Sequence, residues 1–302
     1  MLNKPKQIAV AAALAVAAIG GAHALPAAST AFVSGVTNNI SDDFIEILID
    51  RDGNGKITKG DIIFSALGIT SFPTSGVAAN TVNELTVLAA IQVKSDPIST
   101  VPQDLCGNTP AGDCKFFEFT APDIGLGAVL SLVANGAFGV DLTALYSNLA
   151  GLTFTSDSVA LVLEDTNHDF TTQGTLAGSF SSAADGAARM VLDLTAANGD
   201  KWTATGPEFL SDFTANPVGE GIGSFGLDLT ISGQAFAGWN LGPQFTGRGN
   251  LSLAEGTAAS PAGGDASFFF EANRVPEPAS MALAGIALLA CGLAGKRKRQ
   301  AA

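Results

Sequence analysis

Phe44-Ile-Glu-Ile-Leu-Ile-Asp50-Arg-Asp-Gly-Asn-Gly-Lys-Ile-Thr-Lys-Gly-Asp61-Ile-Ile-Phe64 sets the fold class. Both flanks, Phe44–Ile49 and Ile62–Phe64, are dense in β-branched and aromatic side chains, which suit a pleated, half-buried surface better than a helix. Between them Asp52-Gly53 and Asn54-Gly55 are turn dipeptides, so the stretch reads as strand, acidic turn, strand.

Working outward, Leu25–Asn39 is small and polar and reads as a lead-in segment, and Thr81–Ser95 reads as one strand or two. From Phe116 to Leu152 the chain is apolar and glycine-bearing, with a short helix expected in Asp141–Leu149 behind an N-capping aspartate. Further strands are expected at Ser158–Glu164, Thr175–Ser182, Ala188–Leu194, Lys201–Thr205, Gly223–Ser232 and Ala266–Glu271. Turns such as Ala184-Asp185-Gly186 and Asn198-Gly199-Asp200 separate them. Alternation is clearest where Phe225, Leu227, Leu229 and Ile231 share one face. Many short antiparallel strands joined by glycine-rich turns predict a mainly β domain, a β-sandwich or an irregular barrel. It occupies residues 25–272, with two subdomains conceivable around 115–157.

The acidic turn carries its own chemistry. Asp50, Asp52, Asn54, Thr58 and Asp61 fall at positions 1, 3, 5, 9 and 12 of a twelve-residue loop, with Gly55 at 6 and Ile57 at 8. That spacing wraps oxygen ligands around Ca²⁺, the backbone carbonyl of Lys56 at position 7 adding one more. Over these twelve residues the chain resembles the calcium loops of dockerins, in which aspartate at position 12 is common. Asp61 stands where a bidentate glutamate would give tighter binding, so one site of modest affinity is implied, roughly 10⁻⁴–10⁻³ M. The strand-like flanks leave a plain acidic hairpin turn as the alternative. Asp165-Thr-Asn167-His-Asp169 repeats the opening of the pattern, but Phe170 replaces the glycine, so a solvated turn is the expectation there.

Both ends carry address signals. Met1–Ala24 has Lys4 and Lys6, an apolar run from Ile8 to Gly20 and Ala22-His-Ala24, the layout of a secretory signal peptide cut after Ala24, with an uncleaved anchor as the alternative. At the other end, in residues 273–302, Pro276-Glu277-Pro278 precedes the uncharged run Ala279–Gly295, followed by Lys296, Arg297, Lys298 and Arg299. Seventeen residues span about 25 Å as a helix, the short end of what crosses a bilayer, and the four cations should stay cytoplasmic. Physics alone would accept a plain C-terminal anchor. The ordered triplet, helix and basic cluster resemble the PEP-CTERM sorting signal of Gram-negative bacteria. That resemblance implies export through the secretion translocon and an inner-membrane-anchored precursor. It further implies processing near the triplet by an exosortase, a membrane-embedded cysteine protease, and a destination at the cell surface or outside the cell, in an exopolysaccharide, biofilm or floc context.

Charge fits that compartment. Lys4, Lys6 and the four tail cations account for six of the 15 basic residues, leaving nine against 27 of the 28 acids once Glu277 is set aside, about −18. Such an excess argues against nucleic acid or anionic lipid as partner and is compatible with divalent cations. Cys106 and Cys114 flank a turn-rich loop and are expected to form a disulfide in an oxidising compartment, contributing roughly 2–3 kcal/mol; a metal pair is the alternative.

Catalytic patterns are weak. His168 is the one histidine after the signal segment and lies in a polar turn, and no G-x-S-x-G elbow occurs. Gly221-Ile-Gly223-Ser-Phe-Gly226 spells a phosphate-loop pattern but runs into a strand rather than a helix. The expectation is therefore a non-enzymatic, structural or adhesive surface protein. A secreted carbohydrate-active enzyme with unrecognised carboxylates and a calcium-dependent binding module are the alternatives.

Overall fold

A computed structural model describes residues 25–98, 114–135, 140, 142, 145–146, 149, 152–172, 175–208, 221–230, 236, 238–251, 254–255 and 263–275. The signal segment, Cys106, the triplet, the apolar run Ala279–Gly295 and the basic cluster lie outside the described residues. Among the described residues no helix is long and apolar enough to cross a membrane.

The opening stretch forms a hairpin. Strand β1 (Val36–Ile49) pairs antiparallel with β2 (Ile62–Phe72), Ile49 opposite Ile62 and Glu46 opposite Ser65. The remaining strands are β3 (Val77–Ala78), β4 (Glu84–Val93), β5 (Cys114–Thr120), β6 (Ser158–Asp165), β7 (Ala187–Asp193), β8 (Lys201–Pro207), β9 (Gly221–Thr230), β10 (Trp239–Leu251), β11 (Ala254–Glu255) and β12 (Gly263–Arg274). They build one curled antiparallel sheet, apart from the parallel β1–β11 contact. Following the pairings gives β1-β2-β4-β6-β7-β9-β10-β12 and then β1 again, so the ladder closes on itself. Closure removes the exposed edges that an open sheet must otherwise protect.

The wall is forked. Strand β4 pairs with β6 along Glu84–Ala89 but with β5 at Gln92–Val93, and β9 pairs with β7 at Asp228–Thr230 but with β8 along Ile222–Gly226. At one end of the ring the β5–β8 pair therefore takes the place of β6–β7. The sheet draws strands from both sides of residues 115–157.

Two cores follow from the two-residue period of a strand. From β1, Phe44 and Leu48 point into the ring, as do Ile63 and Leu67 from β2 and Val87 and Ile91 from β4. Ile45, Ile47, Phe64, Ala66 and Leu88 point outward and are covered by helices α1 (Leu126–Asn135) and α2 (Leu176–Ala183). Because both faces are buried here, β4 is buried at all ten positions and reads as a near-continuous apolar run. At one end of the ring Phe32 packs edge-on against Phe236, Trp239 and Phe270, with centroids 5.1–5.6 Å apart. That aromatic plug lies where β1 begins and β12 ends, since Val36 pairs with Ala272.

Three expectations are corrected. Thr175–Ser182 is not a strand: Leu176, Ser179, Phe180 and Ala183 are its buried residues, the i, i+3, i+4, i+7 spacing of a helix face, and Thr175 caps it by accepting from the Gly178 N–H at 3.1 Å. The strands are not uniformly short, because β1, β2, β4, β10 and β12 run from 10 to 14 residues. The lead-in segment ends early, because β1 already begins at Val36. Of Asp141–Leu149, Leu145 and Tyr146 are helical and most of the rest lies outside the described residues.

Candidate functional site: an acidic loop at the closed end of the hairpin

Residues 50–61 join β1 to β2, so the loop tips a hairpin rather than linking two helices. Gly53 and Gly55 both take φ of +71°, which a side chain at Cβ would oppose, and Gly55 is the position where the twelve-residue pattern needs its sharp turn. Ile57 is fully buried and its N–H donates to the Glu208 carbonyl at 2.8 Å, anchoring the loop in the core as position 8 should.

The backbone wraps around its own carboxylates. Asp50 accepts from the Gly53 and Gly55 N–H groups, each at 2.7 Å. Asp61, 1% exposed, accepts from the Arg51 N–H at 2.9 Å and the Thr58 N–H at 2.7 Å. The Thr58 hydroxyl lies 3.1 Å from Asp61 Oδ2 and 3.2 Å from Asp52 Oδ2, and Asn54 Nδ2 donates to Asp52 at 2.7 Å. One oxygen each from Asp50, Asp52 and Asp61 lie within 4.8 Å of one another. The loop thus brings together Asp50, Asp52, Asn54, Thr58 and Asp61. The Lys56 side chain turns away to Glu208, 3.1 Å distant.

Electrostatics separate the aspartates. Burial pushes the Asp61 carboxyl up, and the Thr58 and Arg51 N–H groups oppose this without cancelling it; the nearby Asp50 charge pushes the same way as burial. At Asp50 burial also pushes upward, but the Gly55 and Gly53 N–H groups win and its acidity is strengthened. Asp61 is thus the reluctant charge of the set.

Residues far away in sequence hold the loop in place. Arg51 pairs with Asp123 at 2.9 Å, Gly60 donates to the Val93 carbonyl at 2.9 Å, and Gln92 bridges the Gly60 carbonyl and the Asp123 N–H. The exposed Arg51–Asp123 pair itself contributes little, roughly 0–1 kcal/mol. Nothing local in the sequence marks Asp123 or Glu208 as its supports.

The second acidic turn is different. Asp165 and Asp169 sit near Asp185, whose carboxyl is pushed up to about 7, first by burial and then by the two neighbouring aspartates. His168 Nε2 is hydrogen-bonded to the Val82 carbonyl. The Gly221–Gly226 pattern lies within β9. Cys114 opens β5 and is buried.

No curated protein and no solved structure matches the chain significantly. The PEP-CTERM protein-sorting motif matches residues 274–299, which takes in Pro276-Glu277-Pro278, the apolar run and the basic cluster. That match supports a protein made as a membrane-anchored precursor in a Gram-negative bacterium and sorted through exosortase to the cell surface.

Proposed function

We propose that this chain is a non-enzymatic surface or matrix protein, an acidic β-domain delivered by its sorting tail, which serves a structural or adhesive role among exopolysaccharide and binds one stabilising Ca²⁺ in residues 50–61. The match of the sorting motif to residues 274–299 carries the reading. Exosortase and the secretion translocon are its processing partners, and the membrane is met through Ala279–Gly295 before processing. Cys106 and Cys114 are bridged in the mature form, which suits an oxidising compartment.

Mass spectrometry of the protein recovered from the native cell surface tests this. The expected C-terminus lies near Pro276–Pro278, the basic cluster having been removed, and the mass increases on reduction as one disulfide opens. A mature chain ending at Ala302 would remove the sorting claim.

The calcium element rests on the convergence of Asp50, Asp52 and Asp61. Each carboxylate oxygen that accepts a backbone N–H retains a further lone pair for a cation. Asp50, Asp52, Asn54, Asp61 and the Lys56 carbonyl would hold the ion, with Thr58 at its usual water-bridged position. At a Kd of roughly 10⁻⁴–10⁻³ M, about 10 mM Ca²⁺ is roughly 10–100 times Kd and stabilises the folded state by about 1.4–2.7 kcal/mol, so it is expected to raise the melting temperature by several degrees. Asp50→Ala should abolish the rise. Since the Asp61 carboxyl is raised in the fold, the stability it contributes is fully present below the ordinary carboxylate pKa and is lost as pH rises through its folded value. Calcium opposes that loss by favouring the ionised form, so the calcium-induced rise should grow from pH 4 to pH 7. Calorimetry showing no heat of Ca²⁺ binding, with Asp50→Ala melting as the wild type does, would leave an acidic turn and nothing more.

A further inference from the structure

The two turn dipeptides of the acidic loop are chemically labile as well as conformationally useful. In Asn54-Gly55 the Gly55 nitrogen follows the Asn54 side-chain amide directly, and glycine has no Cβ to hinder ring closure onto it. Asp52-Gly53 has the same arrangement with a carboxyl in place of the amide. The fold adds no steric protection: all four residues are exposed, and a Cβ placed on Gly53 or Gly55 would meet nothing within 4 Å. Water reaches the reacting groups freely, so whatever restrains the chemistry must be hydrogen bonding.

One side chain supplies that restraint. Asp50 Oδ1 accepts the Gly53 N–H and Asp50 Oδ2 the Gly55 N–H, each at 2.7 Å, so a single carboxylate holds both nitrogens that would have to attack. Short bonds to an ionised acceptor belong to the strong class. The groups under attack are held too. Asn54 Oδ1 accepts from the Lys56 N–H at 2.7 Å, Asn54 Nδ2 donates to Asp52 Oδ2 at 2.7 Å, and Asp52 Oδ1 accepts from the Asn54 N–H at 3.1 Å. A carboxylate is far too weak a base to take the proton of a backbone amide, so Asp50 restrains the Gly55 nitrogen without activating it.

We infer that Asn54 is a site of spontaneous deamidation and that Asp50 holds it in check by occupying both glycine N–H groups. When the hold is lost, the Gly55 nitrogen adds to Asn54 Cγ and gives up its proton to solvent. The Cγ–Nδ2 bond then breaks, and the amide group leaves as ammonia with a proton taken from water. Water opens the resulting cyclic imide at either carbonyl, giving aspartate or isoaspartate, so water is consumed and ammonia released in equal amount. The product loosens the loop further. A carboxylate at position 54 no longer donates to Asp52, and it adds like charge beside Asp50, Asp52 and Asp61, one oxygen of each already lying within 4.8 Å of the others. The inference is independent of the calcium and sorting readings.

The test is peptide mass spectrometry of chymotryptic digests after the purified protein is incubated at neutral pH with a chelator, so that calcium plays no part. Isoaspartate is read by isoaspartyl methyltransferase labelling. Asn54 should deamidate on the order of tenfold more slowly in the folded wild type than in the same chain unfolded in urea, because a charge-assisted hydrogen bond must break before attack. Asp50→Ala should raise the Asn54 rate in the folded protein by roughly the same factor. Asp50→Asn, which keeps the shape but offers one acceptor oxygen in place of two, should raise it less. Asn54→Gln should remove the signal from the loop. Asn198-Gly199 is the internal control: its Gly199 N–H donates to the Ala196 carbonyl at 3.1 Å, and the rate there should be the same in every variant. Equal Asn54 rates in folded and unfolded wild type overturn the proposal. So does a rate that Asp50→Ala leaves unchanged or lowers, or a rise at Asn54 and Asn198 alike in both Asp50 variants, which would be general unfolding.

Discussion

Phe64→Ala is expected to lower the stability of the folded chain by about 3–5 kcal/mol, the range for deleting a large aromatic side chain from a packed core. Phe64 is completely buried on the outward face of β2. Its ring stacks on Phe180 of α2, with centroids 4.9 Å apart and planes 18° from parallel. The cavity left behind cannot collapse easily, because a curled ladder holds the backbone on one side and α2 is fixed on the other by its Thr175 cap. The loss therefore includes the transfer term, the cavity term and the ring–ring contact, the last worth about 0.5–1.5 kcal/mol. Urea denaturation followed by circular dichroism reads the change directly. Val36→Ala, at a position 44% exposed, is the control and should shift stability by less than about 0.5 kcal/mol. A Phe64→Ala loss below about 1 kcal/mol would mean that α2 does not cover this face.

Glu164→Ala should be the next most damaging change, at roughly 2–3 kcal/mol. The Glu164 side chain is 2% exposed at the end of β6, where it forms an ion pair with Arg189 of β7 and accepts from the Ala28 N–H at 2.7 Å and from Asn83 Nδ2 at 3.3 Å. Removing one partner of a buried pair typically costs 3–5 kcal/mol because the other charge is left without compensation. Arg189 keeps 22% of its side chain in water, which lowers the figure here. The Ala28 hydrogen bond distinguishes this from a simple ion-pair effect: it ties the N-terminal segment to the far side of the ring. Hydrogen exchange at the Ala28 amide should speed up in Glu164→Ala far more than at Phe64. Glu164→Gln, which can still accept from Ala28, should slow it again. If Ala28 exchanged equally in the wild type and both variants, the tie would be disproved.

The hairpin was legible because several local signals agree: β-branched flanks, two Asx-Gly dipeptides and buried Ile57 beyond them. The α2 segment was not. Gly178, Thr175 and three serines argue against a helix by propensity, and only the spacing of Leu176, Phe180 and Ala183 argues for one, a tertiary packing effect that overrides a weak local preference. Strand β10 escaped detection for a different reason. Gly242-Pro243 interrupts it, and the structure accommodates that proline in a bulge between Leu241 and Phe245. At the acidic loop the sequence spacing marked Asp50, Asp52 and Asp61, which converge in the fold, whereas the loop's supports Asp123 and Glu208 come from 72 and 152 residues away.

The pairing of Val36 with Ala272 places the beginning of β1 and the end of β12 side by side, while β1 continues for 14 residues before the acidic loop begins. At about 3.3 Å per residue that is on the order of 45 Å of strand. The chain therefore leaves the described domain at its phenylalanine-rich pole, and Asp50–Asp61 lie at the opposite one. The domain has a built-in polarity, with its aromatic plug and chain exit at one end and its acidic loop at the other.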